Sequence, residues 1–288
     1  LSQYSNIHSV EVPASAFRLA QDAHTQRENP GLYLVRENIL CSISPFKPGV
    51  IPLSLDSAKQ KNILISILKE IYSHPGIGPV MGFKGGTAAY LFYNLDRFSV
   101  DLDFDLLDWQ KAEPVYTEIR KLLKPFGKIK QTERTGYSLT LHLVCGDTDT
   151  EPQEVKLEIN RWEFGSRFIL LSNLGVPMNV MIPEDMLANK LVAMTQRMGK
   201  ANRDLYDAWF FLSHGWQVNA EIVEKRTGLP LNRFLEKCRE SVAVVNTGNI
   251  LSGMGELTNK KQETWIKNNL KSELVFQLNL YLEKLSKD

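Results

Sequence analysis

The chain has 288 residues, 43% of them apolar and 23% charged, with a net charge of +1, which describes an ordinary globular protein able to bury a substantial core in one body or two. No apolar run approaches the ~20 residues that span a bilayer, and the start, Leu1-Ser2-Gln3-Tyr4, lacks the basic and apolar blocks of a signal peptide, so the cytoplasm is the expected compartment. Cys41, Cys145 and Cys238 form no Cys-x-x-Cys pair and the five histidines do not cluster, which argues against a disulfide framework and structural zinc; the lack of a Gly-x-Ser-x-Gly elbow or a Walker loop argues against a nucleophilic hydrolase.

In chain order, residues 1–50 are broken by Pro13, Pro30, Pro45 and Pro48 and predict little. Leu55 to Ile71 has helical periodicity with Ser54 as a candidate cap. Val80 to Phe83 predicts a short strand. It ends in Lys84-Gly85-Gly86-Thr87, and Thr87 to Tyr93 predicts the helix that follows. Two glycines let backbone turn tightly and approach a phosphate with no Cβ in the way; the Thr87 hydroxyl is placed to cap the helix or to hold a phosphate oxygen at its N-terminus.

Val100 to Leu106 alternates apolar and acidic residues, so it predicts a strand with Asp101, Asp103 and Asp105 on one face. Three carboxylates there repel one another unless a cation neutralises them, and Mg²⁺ suits a few carboxylates plus substrate phosphates. A solvated acidic edge strand is the plainer alternative. A helix over Trp109 to Leu123, capped by Asp108, comes next. Strands follow near Lys128–Thr132, Ser138–Val144, Val155–Asn160 and Met178–Ile182.

Beyond Pro183 the pattern is helical. Pro183, Glu184 and Asp185 suit a helix start, and Lys190 lies beside the apolar stripe of Met186, Leu187, Leu191 and Met194. Asp204 and Asp207, three apart, share a helix face; a helix cap at Asp204 is the plain reading of the spacing. The last helix, Glu273 to Leu285, is too densely apolar to stand alone and is expected to pack on the helical half or on a partner. Two basic runs stand out, Arg120 to Arg134 and Arg197, Lys200 and Arg203. Such runs are usually solvated surface, or phosphate contacts if the substrate is RNA.

Gly-Gly-Thr followed after thirteen residues by Asp-x-Asp resembles the signature of the DNA polymerase β-like nucleotidyltransferase superfamily. The longer string Phe83-Lys84-Gly85-Gly86-Thr87-Ala88, with Arg97-Phe98-Ser99-x-Asp101-Leu102-Asp103-Phe104, is similar to the AbiEii-type nucleotidyltransferase toxins of type IV toxin–antitoxin and abortive-infection systems. The likeness covers roughly residues 80–210.

This resemblance implies an α+β fold, with a mixed-sheet nucleotidyltransferase lobe preceded by an N-terminal extension (1–182) and a mostly helical lobe (183–288). It also implies a third carboxylate, for which Glu158 is the candidate. Lys190 is implied as a ligand of the nucleotide phosphates, Asp204 as a polar residue facing the cleft, and Arg97 as a group that orients the acidic strand or binds phosphate. Asp101 and Asp103 are then expected to hold Mg²⁺ or Mn²⁺, Gly85, Gly86 and Thr87 to cradle the triphosphate, and Glu158 or Asp103 to act as general base. The implied reaction moves NMP from an NTP to RNA, most plausibly a tRNA 3′ end, and stops growth. A cognate antitoxin is the implied partner. A protein or small-molecule acceptor, and a catalytically silent nucleotide-binding module, are the alternatives.

Overall fold

A computed structural model describes residues 32–33, 55–145, 152–199, 201–254 and 259–287. An eight-stranded mixed sheet forms the first half, in the order β1-β7-β8-β2-β3-β6-β5-β4. Its strands are β1 (Leu32–Tyr33), β2 (Met81–Lys84), β3 (Leu102–Leu106), β4 (Gly127–Arg134), β5 (Ser138–Cys145), β6 (Gln153–Arg161), β7 (Phe168–Asn173) and β8 (Val176–Met181). The β7–β8 hairpin and the short β1 were not all legible in the sequence; only β8 was expected.

The helices are α1 (Leu55–Ser73), α2 (Gly85–Phe92), α3 (Ala112–Leu122), α4 (Pro183–Gln196), α5 (Arg203–Ser213), α6 (Ala220–Thr227), α7 (Leu231–Ala243) and α8 (Lys260–Leu285). The proposed Ser54 cap lies outside the described residues. Asp108 does cap, with its carboxylate accepting from the Gln110 amide at 3.1 Å, but the segment it opens is a short 3-10 turn over Trp109–Lys111, and α3 begins only after it.

Period-two patterning gives the central strands two unlike faces. Phe83, Phe104, Leu157 and Ile159 are fully buried on one face. Tyr72 of α1 closes over this face: its ring lies 6.4 Å from that of Phe104, and its hydroxyl donates to the carbonyls of Met81 and Asn179. On the other face stand Asp103, Asp105, Glu158 and Asn160. β2 and β3 run antiparallel around α2, whereas β3 and β6 run parallel with Asp103 opposite Glu158. The register therefore brings residues 55 positions apart in sequence level with each other.

Helices α4 to α8 supply the second half. Pro183 sits in the first turn of α4, where its missing N–H costs nothing. Asp185 in the same turn is enclosed, gripping the Arg167 side chain at 2.7 Å and the Asn219 amide at 2.7 Å. α8 starts at Lys260, thirteen residues before the apolar pattern predicts, on a capping box of Asn259 and Gln262. Its buried Ile266, Leu270, Leu274 and Leu278 pack on the helical half, and Trp265 meets Trp209 of α5 at 4.2 Å. Buried apolar side chains of the sheet and the helices form one continuous cluster.

Candidate active site

The glycine pair folds differently from the expected turn-then-helix. α2 already begins at Gly85, and no side chain caps its N-terminus, so its first amides are open to an acceptor. The glycines are required by close approach. Gly85 has φ +80, and a Cβ there would lie 2.3 Å from Asp103 Oδ2; a Cβ on Gly86 would lie 2.7 Å from Ser99 Oγ and 2.9 Å from Arg97 Nη2. Thr87 does not cap α2. Its buried hydroxyl donates to the Asp101 carbonyl at 2.5 Å, just before β3, which starts at Leu102 and not at Val100.

The acidic face carries the charge that the alternation predicts. Burial first, then the neighbouring Asp101 and Glu158 carboxylates, push the Asp103 carboxyl up to about 6. Glu158 is also partly buried, but hydrogen bonds from Lys156 (2.5 Å) and Asn160 (2.9 Å) hold its carboxyl below the ordinary range. Asp105 turns to Lys84, Nζ to Oδ1 2.5 Å. Asp101 is reached from the helical half by Arg203, Nη2 to Oδ2 3.3 Å.

Asp101 and Asp103 offer a divalent cation two carboxylates beside a glycine cradle that a Cβ would fill. Among the described residues no three acidic, His or Cys side chains already form a cage. A pair of carboxylates suits Mg²⁺ or Mn²⁺, whose other ligands would be substrate phosphates and water.

Behind this face lies a buried ionic cluster that joins the two halves. Arg97, 1% exposed, forks onto Asp207 with Nε–Oδ1 at 2.6 Å and Nη2–Oδ2 at 2.7 Å, and donates through Nη1 to the Phe98 carbonyl at 3.0 Å. Lys190 lies 3.0 Å from Asp204 Oδ1 and 2.9 Å from Asp207 Oδ2, with 13% of its side chain exposed. Arg197 Nη2 stands 2.8 Å from Asp204 Oδ2, in ion-pair contact but not aligned as a hydrogen bond.

Burial favours the neutral carboxyl of Asp207, yet Arg97 and Lys190 outweigh it and hold that group at about 2. Burial likewise works against the Lys190 ammonium, and Asp207 and Asp204 prevail to raise it. The cluster thus holds two enclosed cations against two enclosed anions.

Of the residues anticipated from sequence, Asp101, Asp103, Glu158, Gly85, Gly86 and Thr87 converge at one end of β2, β3 and β6. Lys190, Asp204 and Arg97 form the adjoining cluster. Asp204, expected to face the cleft, is 1% exposed and turned toward Lys190; neither it nor Asp207 caps α5, whose N-cap is Asn202. Arg97 is 1% exposed and forked onto Asp207, contacts that fit the orienting role. Asp207, Arg203, Lys156 and Asn160 were not picked out as site residues. Spacing pointed to Asp207 and Arg203 only weakly, and to the other two only through the alternation of β6.

Comparison with known proteins follows the same lines. No curated protein sequence matches. The solved structures similar to this chain include JHP933 from Helicobacter pylori, with TM-score 0.56 and 22% identity over 82% of this chain and 95% of that one, and MenT4, a nucleotidyltransferase toxin from Mycobacterium tuberculosis, with TM-score 0.51 and 20% identity over 77% of this chain and 84% of that one. At such identities the likeness establishes the nucleotidyltransferase fold. Residues 66–239, more than half of the chain, match the family described as nucleotidyl transferase AbiEii toxin, type IV toxin–antitoxin system. The chain therefore belongs to the AbiEii nucleotidyltransferase toxin family, with the paired aspartates and glycine turn of its sheet as the enzyme's candidate centre.

Proposed function

We propose that this nucleotidyltransferase toxin moves NMP from an NTP to an RNA acceptor, a tRNA 3′ end, and so blocks translation. The observation that carries this reading is Asp103 set opposite Glu158, within the field of Asp101 and against Gly85 at the start of α2. The acceptor hydroxyl oxygen bonds to the α-phosphorus, the α–β anhydride bond breaks, and pyrophosphate leaves. Asp101 and Asp103 would hold Mg²⁺ or Mn²⁺, which when bound would supply Lewis acidity toward the triphosphate. Glycine backbone amides at the start of α2 receive phosphate oxygens.

Arg203, already ion-paired at the acidic face, and Lys190 behind it supply positive charge toward the leaving pyrophosphate. Glu158, kept ionised by Lys156 and Asn160, accepts the hydroxyl proton. Arg97 and Asp204 act through position: they fix the strand and the lysine. Membership of a type IV toxin–antitoxin family brings an antitoxin as partner. No helix among the described residues is long and apolar enough to cross a membrane.

The test incubates the purified protein with Mg²⁺, each α-³²P-labelled NTP and total bacterial RNA, then resolves RNA and protein separately. Label on a tRNA-sized band, lost in Asp101→Ala, is the expected result. Label on protein alone, or on a small molecule, would redirect the acceptor. No label with intact nucleotide binding would mean a silent module.

A further inference from the structure

Next to the acidic face, one step further along β3 and β6, lies a cavity of about 260 Å³ whose walls include Lys84, Asp105, Asn160, Phe164, Asn189 and Arg226. It is continuous with the face that carries Asp103, because side chains two apart on a strand share a face. The residue spacing sets its distance: Asp105 is two strand positions from Asp103, about 7 Å, a separation of the order of one ribose.

The two flanks of α4 differ in charge. On one, Lys190 and Arg197, with Arg203 of α5 nearby, are ion-paired to Asp204, Asp207 and Asp101 next to the acidic face. On the other, Asn189 turns into the cavity wall, where carboxylate, amide, ammonium, guanidinium and an aromatic ring alternate. A triphosphate suits the first flank. A flat heterocycle with mixed donors and acceptors suits the second.

Arg226 of α6 is a half-buried cation in this wall, which also carries the more exposed Arg161 and Glu163. Its guanidinium lies 5.1 Å from the Phe164 ring centroid and donates to Asn189 Oδ1 at 2.5 Å, and among the described residues no carboxylate is at ion-pair distance from it. Asp105, the acid nearest in charge, is already taken by Lys84. A half-buried cation left this way is costly unless a ligand completes it. Consistently, burial pulls the guanidinium below its ordinary range, with Asp105 offsetting only part.

Building on the nucleotidyltransferase reading, we infer that this cavity receives the base of the donor NTP, with Phe164 as its flat wall and Arg226 as the donor that reads a ring carbonyl. Guanidinium only donates, and guanine, cytosine and uracil each present a carbonyl oxygen that adenine lacks. Arg226 is thus a specificity-determining residue supplied by the helical half.

The test is equilibrium titration of the full chain, in Mg²⁺, with each of the four NTPs and with tripolyphosphate. Wild type is expected to bind ATP about tenfold or more weakly than its best NTP. Arg226→Met and, separately, Phe164→Ala should narrow that range to within about threefold while tripolyphosphate binding is unchanged. Thermal melts identify a variant that fails to fold, and the two substitutions remove different contacts, so either folded variant decides. Base-independent affinity in wild type, or an unchanged ranking in the folded variants, overturns the assignment. The labelled-transfer assay separates the two readings: base-ranked binding without transfer sinks the proposed reaction and keeps the pocket. Transfer with variant-insensitive ranking does the reverse, and no binding of any NTP removes both.

Discussion

Gly85 has less freedom than any other residue of the site. Its φ of +80 is strained for any L side chain, and the space a Cβ needs is held by the Asp103 carboxylate. Gly85→Ala is therefore expected to displace Asp103 and cut transfer by at least about a hundredfold, with a melting temperature lowered by only a few degrees; the comparison of labelled-product rate with a thermal melt checks this. Asp101→Ala removes a carboxylate that is partly exposed and, among the described residues, bonded to Arg203 alone, so stability should hold within about 1 kcal/mol. Transfer and toxicity should both vanish. A fully toxic Asp101→Ala strain would overturn the metal-site assignment.

At the scale of elements, the cluster of Arg97, Lys190, Asp204 and Asp207 ties the segment before β3 to α4 and α5. Because its charges are enclosed, deleting one strands another. Arg97→Ala leaves Asp207 facing a single lysine and is expected to cost roughly 3–5 kcal/mol in urea unfolding, whereas replacing both Arg97 and Asp207 by apolar residues should cost much less.

The same cluster sets an acid limit. Asp207 has its folded-state pKa depressed to about 2, below the ordinary aspartate range, so its contribution to stability is complete above about pH 5 and is lost as the pH falls toward 2. Asp207→Asn should flatten the stability profile between pH 5 and 2, read by thermal melts across that range. Helix α8 contributes by packing: Leu270 and Leu274 are fully buried, and Leu274→Ala should cost about 2–5 kcal/mol without changing NTP selectivity.

At the scale of the whole molecule, a net charge of +1 leaves any nucleic-acid contact to local patches. Lys121, Lys130 and Arg134 of the first basic run are paired with Glu118, Glu154 and Glu113, which is how a solvated surface manages its charge. In the second run, Arg197 and Arg203 are paired with Asp204 and Asp101 at the site itself, and Lys200 lies outside the described residues. Charge reversal at Lys121 and Lys130 should thus leave transfer within about twofold, whereas Arg203→Ala should reduce it; parallel initial-rate measurements at two salt concentrations would show this.

The sequence by itself determined the chemistry-bearing string. Glycine pairs and an Asp-x-Asp alternation are local patterns, and period-two geometry is enough to place Asp103 and Asp105 on one face, whereas Asp101 lies just before the strand. The same local logic gave Glu158 its strand, but only the parallel pairing of β3 with β6 set it opposite Asp103. Tertiary structure alone decided the partners. Arg97 and Asp207 are 110 residues apart and Arg203 and Asp101 are 102 apart, and spacing along a chain carries no record of which distant charges meet. It also decided that Thr87 ties α2 to β3 instead of capping it, and that Asn160, Asn189 and Arg226 share one cavity, because three separate elements must dock before those side chains face a common space.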